Sequence, residues 1–303
     1  MDFEKELLYR QNKVNDYIEN IIPSESEYIQ NIISSMRYSL LAGGKRLRPI
    51  LLMGTGEIFN CNEEDLYPFA VAIEMIHTYS LIHDDLPSMD NDDFRRGKPT
   101  NHKVYGDAIA LLAGDGLLNL SYEHMLSFLA LKNEARFVKA AQEIARAAGI
   151  NGMIGGQVVD IENEGKDIDK DLMEYMHNNK TGALITASVR CGAIIGKGTN
   201  EDIEKLTRYA KSLGLAFQIV DDILDVIGDS EKLGKESGRD LKNKKTTYVT
   251  MYGIEKAKEK AENLTKNAID EIDSFGEKAR FLKELTLYLL DREYKVSSFK
   301  NLA

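Results

Sequence analysis

Apolar residues recur every three or four positions along most of the chain, as in Val14, Tyr17, Ile18 and Ile21 and then Ile29, Ile32, Ile33 and Met36. That spacing lines one face of an α-helix. Alternating strand patterns bounded by hairpin turns are nearly absent. Breakers fall at Gly43-Gly44, Pro87, Gly97 to Pro99, Gly114, Gly155-Gly156, Gly196 to Gly198, Gly234 and Gly238, at intervals suited to helices of about 15 to 25 residues. The five prolines are scattered and no Pro/Gly/Ser-rich linker divides the chain. The pattern therefore predicts an all-α helical bundle, with residues 1–303 forming a single domain.

Two predicted helices are apolar nearly all round, Phe69 to His83 (FAVAIEMIHTYSLIH) and Leu213 to Val226 (LGLAFQIVDDILDV). Such helices belong at the centre of a bundle. Each nevertheless carries aspartates, at Asp84, Asp85 and Asp90 for the first and Asp221, Asp222 and Asp225 for the second. Charge attached to a buried helix conflicts with its surroundings, and such conflicts concentrate at functional sites. Asp221 and Asp225, at i and i+4, are expected to share a face with carboxylates about 6 Å apart along the axis. Their repulsion would be relieved by a divalent cation, and Mg²⁺ prefers one or two carboxylates supplemented by water and phosphate oxygens. In the first cluster Pro87 interrupts the helix, so the chain after Ser88 can fold back and bring Asp90 to Asp84.

The overall composition limits the ligands that such a site could hold. A hydrophobic content of 43% supports a sizeable core. A formal net charge of -10 argues against a nucleic-acid surface, which needs clustered Lys and Arg over a broad face. Any anion must then be gripped locally. Candidates are Lys45 and Arg48 after Gly43-Gly44, His77 seven residues before Asp84, and Arg95 and Arg96 after the first acidic cluster. The glycine pair would let backbone approach a ligand closely, and guanidinium forks suit phosphate oxygens. Lys235 and Lys245 follow the second cluster. Cys61 and Cys191 have no metal-ligand spacing, which fits a reducing, cytoplasmic setting. The charged start MDFEKELLYR and short runs such as AIALLAG, ended by Asp115, predict neither export nor stable membrane insertion.

In order along the chain, SMRYSLLAGGKRLRP, HTYSLIHDDLPSMDNDDFRRGKPT, NNKTGALI, FQIVDDILDV and GKESGRDLKNKKTTY resemble the head-to-tail trans-isoprenyl diphosphate synthases, and within them the short-chain bacterial farnesyl diphosphate synthases. A lone DDxxD would be a weak signal, whereas this ordered set covers nearly the whole chain. The resemblance implies the isoprenoid synthase fold, a homodimer of all-α subunits with a deep central cavity, and three Mg²⁺ ions between the aspartate motifs and an allylic diphosphate. It makes Asp84, Asp85, Asp90, Asp221, Asp222 and Asp225 metal-binding, with Asp84, Asp90 and Asp221 the best direct ligands. It implies that Lys45, Arg48, His77 and Arg96 hold isopentenyl diphosphate without metal. Arg95, Lys180, Lys235 and Lys245 would grip the allylic diphosphate, and Thr181 and Gln218 would face the reacting carbon.

The resemblance also makes Tyr79, followed by the small Ser80, a stop for chain growth. The expected activity is condensation of isopentenyl diphosphate with dimethylallyl and geranyl diphosphate to farnesyl diphosphate. The alternatives are a geranylgeranyl diphosphate synthase of the same family or, more distantly, a non-catalytic partner subunit. A terpene cyclase would not need the second diphosphate site. Glu236-Ser237, Val249 and the long tail REYKVSSFKNLA depart from the family pattern.

Overall fold

The computed structural model describes residues 2–22, 25–227 and 246–298, with 291–298 as helix backbone alone. The chain is all-α, as the periodicity predicts. Its helices are α1 (Phe3–Glu19), α2 (Gln30–Leu40), α3 (Leu47–Ile58), α4 (Glu63–Asp84), α5 (Asn101–Tyr105), α6 (Asp107–Leu131) and α7 (Ala135–Ala148). They continue with α8 (Met153–Glu162), α9 (Lys170–Lys180), α10 (Gly182–Ile195), α11 (Asn200–Ile227), α12 (Tyr248–Tyr252), α13 (Ile254–Ile272) and α14 (Arg280–Ser298). Among the described residues, no helix is long and apolar enough to cross a membrane.

The two uniformly apolar segments do become central helices. α4 is buried almost without interruption from Asp65 to Ile76 and packs on α3, α6 and α10. Glu63, Glu64 and Asp65 occupy its first turn, where negative charge suits the amide end of a helix. α11 starts at a reciprocal cap, in which Asp202 N–H donates to Thr199 Oγ1 at 3.2 Å and Thr199 N–H donates to Asp202 Oδ2 at 2.9 Å; this is the capping-box arrangement. Three apolar clusters fill the interior, and α10 and α11 each contribute to two of them, so the core runs continuously across these helices. Cys191 is one of its buried small side chains, and both cysteines are free thiols.

Among the described residues, a short hairpin departs from the helical pattern. β1 (Phe94–Arg95) and β2 (Lys98–Pro99) form an antiparallel hairpin pairing Phe94 with Pro99 and Arg95 with Lys98. Its turn residues, Arg96 and Gly97, both have positive φ, 54° and 73°, the backbone that tight hairpins require. This hairpin sends two adjacent arginines to different places.

α8 and α9 approach unusually closely. A β-carbon on Gly156 would lie 2.1 Å from the backbone nitrogen of Lys180, so only glycine fits there.

Candidate active site

α4 ends at Asp84, and the chain turns back so that Asp90 N–H donates to the Asp84 carbonyl at 2.8 Å. The fold-back expected after Pro87 thus brings the two carboxylates to one lip. Across from them, Asp221 projects from α11, and all three line an acidic cleft of about 300 Å³ that also exposes Arg95, Asp160, Lys180, Thr181 and Gln218. Burial lifts the Asp84 carboxyl to about 6; nearby Lys180 opposes this and Asp90 adds to it.

That donor set fits Mg²⁺. Among the described residues, no group of three or more His, Cys, Asp or Glu side chains forms a ready cage, and a magnesium ion takes few carboxylates and completes its shell with water and ligand oxygens. Asp84, Asp90 and Asp221 are the residues that would hold it.

The other three aspartates make contacts with neighbouring protein groups. Asp85 is enclosed by Arg95, whose Nη2 donates at 2.6 Å and whose Nε lies 2.8 and 2.9 Å from the two carboxylate oxygens. It is almost fully buried, so its carboxylate serves the guanidinium and does not open to the cleft. Asp222 lines the cleft beside Asp221 and accepts from Gln218 Nε2 at 2.9 Å and from Tyr248 N–H at 3.2 Å. Asp225, one turn after Asp221 on α11, is buried. In both motifs, spacing gives the position around the helix but not which neighbour covers it.

A second cavity of about 310 Å³ continues from the cleft, sharing Leu81, Asp84, Lys180 and Thr181 with it. Arg48 and His77 contribute polar wall, whereas Tyr79, Met153, Ile154, Val158 and Ile161 make it largely apolar. Ser80 lines it too, its hydroxyl donating to the His77 carbonyl at 2.9 Å. Tyr79, about one and a half turns before Asp84 on α4, sits on the wall of this cavity.

Beside the cavity lies a concentration of positive charge. Burial, and then the guanidinium groups of Arg48, Arg96, Arg95 and Arg46, hold His77 well below its ordinary value, so the imidazole is neutral. Burial pushes Arg48 down to about 10 even though Glu74 and Asp221 oppose it. Arg48 Nε is buried with no hydrogen-bond partner among the described residues. An orphaned guanidinium donor is costly unless a ligand satisfies it, and an anion is the natural partner. Arg96, in its left-handed turn conformation, donates through Nη1 to the Gly43 carbonyl. Lys45 lies over the Phe217 ring at 5.8 Å.

Arg46, between these cations, does another job. Its guanidinium makes a buried pair with Glu74 at 2.9 Å and donates to the Leu40 carbonyl at 2.7 Å, fixing the start of α3 to α4.

Lys180 pairs with Asp160 at 2.5 Å, a residue that sequence reasoning missed. Its signal was the GGQVVD run after the Gly155-Gly156 breaker, which puts Gln157 and Asp160 on neighbouring helix positions. Thr181 and Gln218 do come together, with Thr181 Oγ1 donating to Gln218 Oε1 at 3.0 Å. Lys235 and Lys245, with the end of the C-terminal tail, lie outside the described residues.

This fold and cleft define a helical synthase, and the sequence agrees: residues 29–285 match the Polyprenyl synthetase family, to which the chain belongs. It is 49% identical over 284 residues to the chloroplastic geranylgeranyl pyrophosphate synthase of Capsicum annuum, covering 93% of this chain and 76% of that one. Geranyltransferase from Legionella pneumophila superposes with a TM-score of 0.87 at 34% identity, over 96% of this chain and 98% of that one. Geranyltransferase from Helicobacter pylori, solved with magnesium and isoprenyl diphosphate, gives 0.84 at 29% identity, over 97% and 98%. The chain is a trans-prenyltransferase.

Proposed function

We propose that this prenyltransferase lengthens allylic diphosphates by head-to-tail addition of isopentenyl diphosphate. One observation carries the reading: an acidic cleft opens into a largely apolar cavity whose wall carries Arg48 and His77, and the two share Leu81, Asp84, Lys180 and Thr181. Lys45, Arg48, His77 and Arg96 bind the diphosphate of isopentenyl diphosphate, with neutral His77 acting as a hydrogen-bonding partner. Arg95 and Lys180, aided by Lys235 and Lys245, bind the allylic diphosphate. Asp84, Asp90 and Asp221 would hold magnesium, as three ions, which would supply positive charge to a leaving diphosphate.

As the allylic C–O bond breaks, the hydroxyl of Thr181 and the amide oxygen of Gln218 turn their dipoles toward the positive carbon. Fixing both substrates side by side supplies much of the remaining acceleration. The new C–C bond forms, and the proton released leaves with the pyrophosphate.

The Capsicum relative's name favours a C20 product, geranylgeranyl diphosphate, over the farnesyl product that the sequence suggested. Tyr79 on the cavity wall favours the second reading, C15, because a packed ring resists displacement by another isoprene unit. Purified chain supplied with Mg²⁺, isopentenyl diphosphate and dimethylallyl, geranyl or farnesyl diphosphate decides between them by chromatography of the dephosphorylated products. A main product of C20 supports the first reading and C15 the second, and Tyr79→Ala should lengthen either. Allylic substrate consumed without isopentenyl diphosphate would indicate a cyclase, and an inert chain would indicate a silent subunit.

Exposed Leu111, Leu112 and Leu126 on α6 support a homodimer. Light scattering giving a monomer mass at micromolar concentration would remove that assignment. The free thiols support a cytoplasmic location, although the Capsicum protein is named as chloroplastic.

A further inference from the structure

A closed circuit of contacts joins α9, α11 and α12 behind the reacting centre. Starting on α9, Glu174 Oε1 accepts from the Tyr248 hydroxyl at 2.9 Å, and the His177 ring stacks on the Tyr248 ring at 6.0 Å and 26°. Tyr248 N–H then donates to Asp222 Oδ2 at 3.2 Å, while Gln218 Nε2 donates to Asp222 Oδ1 at 2.9 Å. Gln218 Oε1 accepts from Thr181 Oγ1 at 3.0 Å, and Thr181 N–H returns to the His177 carbonyl at 3.3 Å.

The chemistry of this circuit is directional. Asp222 accepts an N–H at each of its oxygens, from Tyr248 and from Gln218, so the NH₂ end of Gln218 faces Asp222 and its amide oxygen turns to Thr181. Both Gln218 and Thr181 line the cleft, whereas Tyr248 does not. Tyr248 opens α12, and its N–H is one of the unpaired donors at a helix start. A capping box in which Thr247 N–H donates to Thr250 Oγ1 at 2.8 Å and Thr250 N–H to Thr247 Oγ1 at 3.2 Å fixes that start. Burial, reinforced by Glu174, pushes the Tyr248 hydroxyl up, so it stays protonated and remains a donor.

We propose that Tyr248 is a positioning residue for prenyl transfer, which ties α12 to Glu174 and, through Asp222, sets the direction in which the Gln218 amide oxygen faces the allylic carbon. The inference rests on the proposed prenyl transfer. Without this tie the amide oxygen is no longer held, and the cation formed on C–O cleavage is more often captured by water. The water oxygen then forms the new C–O bond, its proton passes to the released pyrophosphate, and the product is a prenol.

The test uses the full chain with Mg²⁺, isopentenyl diphosphate and geranyl diphosphate, measuring condensation and prenol release together. Wild-type chain must first give condensation product; if it gives none, the functional reading fails independently of Tyr248. Tyr248→Phe keeps the ring and the N–H and should lower kcat about tenfold, leave the isopentenyl diphosphate KM within about twofold, and raise the prenol share about threefold. Glu174→Ala should reproduce this, Glu174→Gln should restore near-wild-type behaviour by keeping an acceptor, and the double variant should be no worse than either single. Wild-type kcat and prenol share in Tyr248→Phe would overturn the proposal. So would a lower kcat accompanied by a matching fall in Tm and an unchanged prenol share, or strictly additive losses in the double variant.

Discussion

Gly44 lies directly beneath the guanidinium of Arg96, so that a β-carbon there would be 2.6 Å from Cζ and 2.8 Å from each Nη. The glycine pair was expected to admit a ligand; the space over Gly44 is taken by a side chain that would hold one. Gly44→Ala should fold, since the clash is with the movable end of a long side chain, but displace Arg96. We expect an isopentenyl diphosphate KM raised about tenfold with kcat little changed. Gly43→Ala is the control, because Gly43 shares the positive φ but has nothing within 4 Å of its β-position. If both variants raise KM equally, backbone strain and not Arg96 is the cause.

Removing Asp84 or Asp221 tests the metal assignment. Alanine at either position should cost several orders of magnitude in turnover while the far-ultraviolet helix signal persists, because these groups line the cleft and do not form the apolar core. EDTA should abolish wild-type activity and excess Mg²⁺ restore it. Turnover that survives chelation would refute metal dependence.

Asp85 should behave unlike its neighbour. Because its carboxylate is engaged by Arg95, Asp85→Asn is expected to raise the allylic-substrate KM with a smaller loss of kcat than Asp84→Ala. Mg²⁺ titrations of activity discriminate: an unchanged half-saturating concentration supports the arginine-holding role, and a large increase returns Asp85 to the metal set.

His177 makes stability depend on pH. Burial, with Lys180 adding to it and Asp160 opposing, lowers the imidazole from 6.5 to about 4. The unfolded chain therefore binds a proton more readily than the folded one, so the contribution is fully present above 6.5 and is lost as pH falls toward 4. The difference corresponds to at most about 3 kcal/mol. His177→Gln should lose less stability than wild type between pH 7 and 4 in urea melts. Parallel losses in the two proteins would mean that His177 does not titrate as argued.

Helix class, the two central helices and the fold-back to Asp90 could be read from the sequence because they depend on local periodicity and on Pro87. Lys45, Arg48, His77, Arg95 and Arg96 stood out because cations next to acidic clusters are chemically conspicuous. What could not be read was pairing across elements. Nothing in the spacing assigns Asp85 to Arg95 or Asp222 to a backbone N–H on α12, since those contacts arise only when distant segments pack. Arg46 shows the same limit: it sits among ligand-binding candidates in sequence, yet its left-handed φ of 49° turns it toward Glu74. The hairpin was also missed, because its strands are only two residues long.

The close crossing of α8 and α9 at Gly156 has a consequence for how this site can drift under mutation. Gly156 carries no charge, nucleophile or ligand, yet every other residue would drive a β-carbon into the backbone of Lys180 and push that lysine away from Asp160 and the cleft. A saturation scan selected for activity should therefore find this glycine as unforgiving as Asp84. The requirement there is for a missing atom, and no conservative replacement supplies one.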